Sequence, residues 1–205
     1  MTVYLLAHGS ADPRHTRDVE AIARRLSSTL VRTVRPCFLD LCPPTLAQAA
    51  VGPGVVVPLL LSPGYHASVD VAREIAGASH RLSRAEPPLL TGGAAWGSDL
   101  LAEVRADWPG RRVVAVTAGT RDPAVLEAWD ETSQALGIPV FHASGPGPRP
   151  HDLDPQDDVV LPLLAARGIF ADLIATQVPA VPVTAVAGAS AAIVSELAGI
   201  VRRAG

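Results

Sequence analysis

The sequence has little of what marks secreted, membrane-bound or nucleic-acid-binding proteins. Its 205 residues include two cysteines, Cys37 and Cys42, too few for a disulfide framework and expected to be small core residues. The net charge is −3 and no run of Lys or Arg occurs, so neither nucleic acid nor an anionic membrane is the expected main partner. The apolar stretch at residues 178–194 is interrupted by prolines and a glycine and makes a poor membrane span. The N-terminus has no basic leader, and we therefore expect a soluble, cytoplasmic protein.

Several catalytic motifs are missing as well. No GxxxxGK[ST] pattern occurs, which argues against ATP as a co-substrate, and the first apolar run is not followed by the GxGxxG of a dinucleotide site. Ser10 lacks the GxSxG elbow of a serine hydrolase. Ala7 precedes His8 where a histidine phosphatase needs an arginine to hold phosphate.

What is present is enough apolar sequence for a packed core. Hydrophobic residues make up 48% of the chain and charged residues 18%, a composition that excludes general disorder. The length fits one large domain or two small ones of roughly 100 residues. Residues 55–61 are apolar at nearly every position, as in a parallel strand buried on both faces.

Short aliphatic runs alternate with helical patterns, and the alternation starts again at residue 113. This order predicts an α/β fold with parallel sheets covered by helices, divided near residues 107–111 into domains 1–108 and 109–205. The predicted strands are residues 3–7, 36–41, 55–61, 88–91, 113–117, 138–142, 159–164 and 181–185. The predicted helices are residues 19–30, 45–50, 69–79, 99–108, 123–136 and 191–203.

The two halves repeat each other in detail. The HGSADP motif at residues 8–13 matches AGTRDP at 118–123, an offset of 110. Residues 58–60 with 64–66 match residues 162–164 with 168–170, an offset of 104, and the PCF of residues 36–38 weakly matches the PVF of 139–141. We therefore predict two homologous halves related by a pseudo-twofold axis, the second being a degenerate copy.

Three polar residues follow the predicted strands of the first half. His8 ends the first strand, Asp40 the second, and His66 comes just after the third. Ligands of open parallel sheets bind beyond the carboxyl ends of the strands, so these side chains are expected to converge. Imidazole and carboxylate groups suit divalent ions such as Fe, Co, Ni or Zn. The second half lacks all three residues: His8 corresponds to Ala118, His66 to Phe170 and Asp40 to about Ala143. Residues needed only for packing would not be expected to disappear together, so this loss favours a functional role for the three.

Structural roles compete with these assignments. A strand-end histidine is often a hydrogen-bonded structural residue, Asp40 could cap the following turn, and Gly9 and Gly64 could simply permit tight turns. The remaining histidines have no partners in sequence and are expected at the surface: His15, His80, His142 and His151. The stretch at residues 145–158 is a long loop that serves either as a linker or as a flap.

These motifs together resemble the sirohydrochlorin chelatases, the ATP-independent class II chelatases of the CbiX/SirB type. The resemblance lies in LLAHGS with Asp12-Pro13-Arg14, in Phe38-Leu39-Asp40 followed by PPTL, and in VPLLL leading to Gly64-Tyr65-His66 and Asp70. It covers most of residues 1–108 and continues more weakly through the second half, as in the long, fused members.

The resemblance implies two flavodoxin-like domains facing a cleft, and insertion of Fe²⁺ or Co²⁺ into sirohydrochlorin for sirohaem or cobalamin. It implies that His8 and His66 bind the metal or accept the pyrrole protons, with Asp40 beside them, and it adds tetrapyrrole contacts at Ser10, Arg14, Gly64 and Tyr65. Two features depart from the family pattern: Asp40 stands where Glu is usual, and Ala11 where Arg is frequent.

The alternative function is a non-catalytic carrier of metal or tetrapyrrole with the same fold. A carrier would bind either component without accelerating metal insertion. Because fused halves need no partner to complete the cleft, a monomer is expected, with a homodimer as the alternative.

Overall fold

The computed structural model describes residues 1–61, 69–85 and 94–204. The chain divides into two compact units, residues 1–92 with 194–205, and residues 93–193. The predicted domain boundary at residue 108 remains a prediction. None of the helices in the described ranges is long and apolar enough to cross a membrane.

The first unit contains a four-stranded parallel sheet of order β2-β1-β3-β4. Its strands are β1 (Thr2–Ala7), β2 (Val34–Phe38), β3 (Gly54–Pro58) and β4 (Leu82–Arg84), and its helices are α1 (Pro13–Leu30), α2 (Leu46–Ala49) and α3 (Val71–Gly77). β1 is central and almost wholly buried, in keeping with its continuous apolar sequence. One core cluster of this unit joins the sheet to α2 and α3 through Tyr4, Leu6, Cys37, Leu46, Ala49, Val56 and Val71.

The second unit contains a three-stranded parallel sheet of order β6-β5-β7. Its strands are β5 (Arg112–Thr117), β6 (Val140–His142) and β7 (Asp158–Pro162). Its helices are α4 (Ala94–Asp107), α5 (Pro123–Leu136) and α6 (Ile169–Gln177), and α7 (Ala191–Ala204) runs from this unit into residues of the first. A core cluster of the second unit includes Val116, Ala143, Val160, Leu164, Ile174, Val178, Val181 and Val186.

The strand registers confirm the internal repeat. Leu6 pairs with Pro58 in the first sheet and Val116 with Pro162 in the second, which reproduces the offsets of 110 and 104. Both sheets are parallel, as predicted, and both have the first strand of the repeat between the second and the third. The pseudo-twofold axis and the cleft remain predictions.

The register of the second strand corrects one alignment. Ala7 pairs with Phe38, and Thr117 pairs with His142, so the offset along this strand is also 104. Asp40 therefore corresponds to Ser144 and not to Ala143. The PCF/PVF match had suggested 103, because three residues are too few to fix a register without the strand pairing.

The structure differs from the predicted elements in three places. β4 was not predicted, because a short strand with the sequence Leu-Ser-Arg has no clear apolar period, and the strand predicted at 88–91 lies outside the described residues. The strand predicted at 181–185 is reduced to one bridge between Val160 and Val183, since Pro182 has no N–H to donate. The third difference is α6, a helix that the sequence analysis missed.

Candidate functional site

His8 lies directly after β1, at the carboxyl edge of the first sheet. Its imidazole is half-buried, and Nδ1 is 3.2 Å from the carbonyl oxygen of Gly9. A carbonyl only accepts hydrogen bonds, so this contact requires the proton on Nδ1 and leaves the lone pair of the neutral ring on Nε2. Histidines that bind metals are commonly oriented in this way by a backbone carbonyl.

Gly9 brings the end of β2 against this turn. Its φ of 99° is in the left-handed region, and a Cβ added there would lie 1.9 Å from the carbonyl oxygen of Asp40. The amide of Asp40 donates to the carbonyl of His8 at 3.0 Å. The absence of a side chain at residue 9 therefore lets the backbones of His8 and Asp40 lie side by side.

A pocket of about 240 Å³ opens beside these two residues, within the first unit. We call it the His8 pocket; its lining includes His8, Leu39, Asp40, Asp70, Arg73 and Glu74. Asp40 is exposed and its carboxylate accepts a hydrogen bond from the amide of Leu41 at 2.7 Å. Asp70 forms an ion pair with Arg73. The pocket thus combines an imidazole with three carboxylates and one guanidinium.

The residues after His8 form a helix start that both units share. Ser10 Oγ accepts from the amide of Asp12 at 3.1 Å, and Asp12 caps α1 by accepting from the amide of Arg14 at 2.8 Å. Thr120 and Asp122 make the corresponding contacts at the start of α5. Gly, Ser/Thr, Asp and Pro of the repeated motif therefore serve the fold in both units, whereas the histidine before them occurs in the first alone.

Arg14 is held by the same cap. Its Nε lies 3.1 Å and 3.0 Å from the two carboxylate oxygens of Asp12. Hydrogen bonds from the Arg14 side chain and backbone lower the pKa of Asp12 to about 2. The tetrapyrrole contacts predicted for Ser10 and Arg14 remain predictions.

Two of the four histidines predicted at the surface, His142 and His15, are buried or half-buried. His142 is 1% exposed, and its Nδ1 lies 2.7 Å from Thr117 Oγ, a buried pair whose burial lowers the histidine pKa. His15 is half-buried with its ring 6.1 Å from that of Phe38, and burial, followed by the charge of nearby His8, lowers its pKa. This burial could not be predicted from local sequence, because it depends on contacts with residues of other elements, Thr117 for His142 and Phe38 for His15.

The 145–158 loop is fixed to the second sheet near its start. Arg149 donates to the carbonyls of His142, Ala143 and Gly145, all close to the end of β6. At its other end, Asp158 is fully buried and accepts from Arg112 at 2.7 Å and 2.9 Å. A role for this loop as a flap remains a prediction.

The second predicted ligand, His66, lies outside the described residues, together with Gly64 and Tyr65. Among residues 1–61, 69–85 and 94–204, no three His, Cys, Asp or Glu side chains form a group that could hold a metal ion. Asp70, Arg73 and Glu74 were not predicted as site residues. Their distance of more than sixty residues from His8 left no signal, apart from Asp70 in the motif after His66.

Comparisons with known proteins agree with this architecture. The CbiX family model matches residues 2–136, about two thirds of the chain. The sirohydrochlorin chelatase SirB from Bacillus subtilis subspecies spizizenii, solved in complex with cobalt, is 19% identical with a TM-score of 0.71, over 98% of this chain and 94% of that one. The structure of CbiX, described as the terminal enzyme for biosynthesis of sirohaem in denitrifying bacteria, is 22% identical with a TM-score of 0.72 over the whole of both chains. No curated protein sequence matches this chain.

Proposed function

Because the chain belongs to the CbiX family, we propose that it inserts a divalent metal ion, Fe²⁺ or Co²⁺, into sirohydrochlorin without ATP. The observation that carries this proposal is the position of His8. It follows a buried central strand and lines one pocket together with Asp40 and Glu74. The solved SirB, of the same fold, carries cobalt.

The chemistry required is ligand exchange on the metal combined with removal of the pyrrole protons. A neutral imidazole binds borderline divalent ions, and it accepts a proton when the metal has left it. Since insertion replaces protein ligands by macrocycle nitrogens, the protein must leave coordination positions open. His8 is suited to this exchange because the hydrogen bond from its Nδ1 to the carbonyl oxygen of Gly9 orients the ring and leaves the lone pair on Nε2.

We propose His66 as the second imidazole of this reaction. Its support is its place after β3, whose Pro58 pairs with Leu6 at the same sheet edge as His8, and its replacement by Phe170 in the repeat. Asp40, Ser10, Arg14, Gly64 and Tyr65 complete the proposed set of metal and tetrapyrrole contacts. A cytoplasmic monomer that serves sirohaem or cobalamin synthesis fits this proposal.

The test is anaerobic metal insertion into sirohydrochlorin, followed by absorbance with Fe²⁺, Co²⁺ and Ni²⁺ in turn. We expect wild-type protein to accelerate insertion over the uncatalysed rate, and His8→Ala and His66→Ala to lose about 100-fold or more of that acceleration. His151→Ala is the matched control, because His151 is exposed and lies in the second unit.

A wild-type insertion rate equal to the uncatalysed rate would refute the proposed chelatase activity. If such a protein still bound cobalt or sirohydrochlorin stoichiometrically, it would be the carrier. The metal with the largest acceleration would identify the favoured substrate ion.

A further inference from the structure

Leu41 holds a backbone conformation that a leucine side chain disfavours. It directly follows Asp40, which lines the His8 pocket, and its φ of 67° lies in the left-handed region that favours glycine. The amide of Cys42 donates to the carbonyl of Asp40 at 2.9 Å, which makes Leu41 the central residue of a γ-turn of the rare, strained hand. The fold does not offset this strain by burying the side chain, because Leu41 is 61% exposed.

The internal repeat shows the same backbone conformation without a side chain. The registers of β2 and β6 align Asp40 with Ser144, so Leu41 corresponds to Gly145, whose φ of 82° is also left-handed. A Cβ on Gly145 would lie 2.3 Å from the carbonyl oxygen of Thr120, so the second unit has no space for a larger residue there. The second unit therefore has the residue that this conformation favours, whereas the first unit has a leucine in its place.

The position of Leu41 distinguishes it from most of the exposed apolar residues described in the first unit. Three of them precede strands and lie at the amino edge of the sheet: Met1, Val31 and Val51. Leu41 instead follows β2, at the carboxyl edge, where His8 lines its pocket. Val69, which is also exposed, directly precedes Asp70 of the same pocket. Residues that line the polar pocket therefore have exposed apolar neighbours in the chain.

We propose that the side chain of Leu41 contacts the ring face of the tetrapyrrole and holds the macrocycle over the His8 pocket. This inference rests on the proposed function, from which it takes its substrate. A metal ion reaches the ring nitrogens from above or below the ring plane, so an ion held at His8 requires the ring face to lie across the pocket. An apolar side chain beside the pocket is then removed from water when the ring binds, which stabilises the complex. Burial against the ring gives a role to a leucine that the fold leaves strained and exposed.

The test uses Leu41→Gly, which introduces the residue found in the repeat. We expect the KM for sirohydrochlorin to rise by on the order of tenfold, as for the loss of one buried leucine side chain, with the KM for Co²⁺ unchanged. The variant should melt at the same temperature as wild type or higher, because glycine adopts the left-handed conformation without strain. Leu41→Met keeps an apolar side chain of similar volume and should retain most of the affinity for sirohydrochlorin.

Val31→Gly is the matched control. Val31 has a φ of 53°, is 90% exposed and ends α1, just as Gly137 ends α5 in the second unit. The substitution removes the same kind of strained, exposed apolar side chain, but at the amino edge of the first sheet. It should leave the KM values for sirohydrochlorin and Co²⁺ unchanged. An equal rise of the KM for sirohydrochlorin in Val31→Gly and Leu41→Gly would overturn the assignment to Leu41.

Titration of metal-free sirohydrochlorin into the full chain, followed by the absorbance of the macrocycle, measures binding without metal insertion. Weaker binding by Leu41→Gly than by wild type and by Leu41→Met supports the contact. Equal binding by Leu41→Gly and wild type overturns it, even where wild type inserts metal and the proposed function stands. If wild type binds sirohydrochlorin more tightly than Leu41→Gly but inserts no metal, the proposed function fails while the contact remains.

Discussion

The paired glycines Gly9 and Gly119 allow the fold and the site to be perturbed separately. Each has a φ near 95°, and a Cβ on either would lie 1.9 Å from a carbonyl oxygen, that of Asp40 or that of Ser144. Ordinary van der Waals contact begins near 3.4 Å, so the neighbouring strand end must move by about 1.5 Å in either variant. Adding backbone strain to overpacking, we expect each Gly→Ala substitution to lower the free energy of unfolding by about 2–6 kcal/mol.

The two variants should differ in function. In Gly9→Ala the displaced backbone of Asp40 is bonded to the carbonyl of His8, so the His8 pocket is distorted and metal insertion falls. In Gly119→Ala the displaced residue is Ser144, whose unit has Ala118 in place of the histidine, so the insertion rate should persist while the protein remains folded.

Urea unfolding distinguishes the two changes in stability. All three tryptophans lie in the second unit, so their fluorescence follows that unit, whereas circular dichroism follows both. Gly119→Ala should shift the fluorescence transition, and Gly9→Ala the dichroism signal from the first unit. Wild-type stability of Gly9→Ala, or an equal loss of insertion rate in both variants, would refute this reasoning.

Two further predictions concern buried polar groups. Arg112, by hydrogen bonding and charge, lowers the pKa of Asp158, so the stabilisation by this carboxylate is present above its unfolded pKa and is lost as the pH falls through the folded one. Asp158→Asn should therefore lower the free energy of unfolding by about 2 kcal/mol at pH 7 and by progressively less as the pH falls. Urea unfolding at several pH values measures this, and a loss of stability that does not change with pH would contradict the pairing of Asp158 with Arg112. Burial raises the pKa of the Cys37 thiol to about 12, so Cys37 should resist a thiol reagent at pH 8 until the protein unfolds. The partly exposed Cys42 should react in the folded protein. In Cys42→Ser the slow reaction of Cys37 can be followed by itself.

Part of the candidate site could be predicted because its signal is local. His8 follows an uninterrupted apolar run, and a buried parallel strand must end in such a polar turn. The internal repeat then distinguishes residues that serve the fold from those that serve function. Gly9 and Asp12 have counterparts with the same contacts, Gly119 and Asp122, whereas His8 does not. The resemblance to the chelatase family rested on the same short motifs and is confirmed by the family match.

Other features could not be predicted because they depend on distant partners. His142 ends the predicted strand at 138–142, but nothing local shows that its side chain lies inside the second unit, where Thr117 Oγ contacts its Nδ1. The partner of Asp40 in the copy was misplaced by one residue, since a three-residue match gives no register, whereas the pairing of Ala7 with Phe38 does.

The sequence by itself determined the α/β class, the duplication and the position of His8, because hydrophobic period, helix caps and internal repeats are written over a few consecutive residues. The tertiary structure decided which side chains meet His8. Asp40 and Glu74 reach the same pocket because β1 lies between β2 and β3, and that strand order depends on packing across the whole unit.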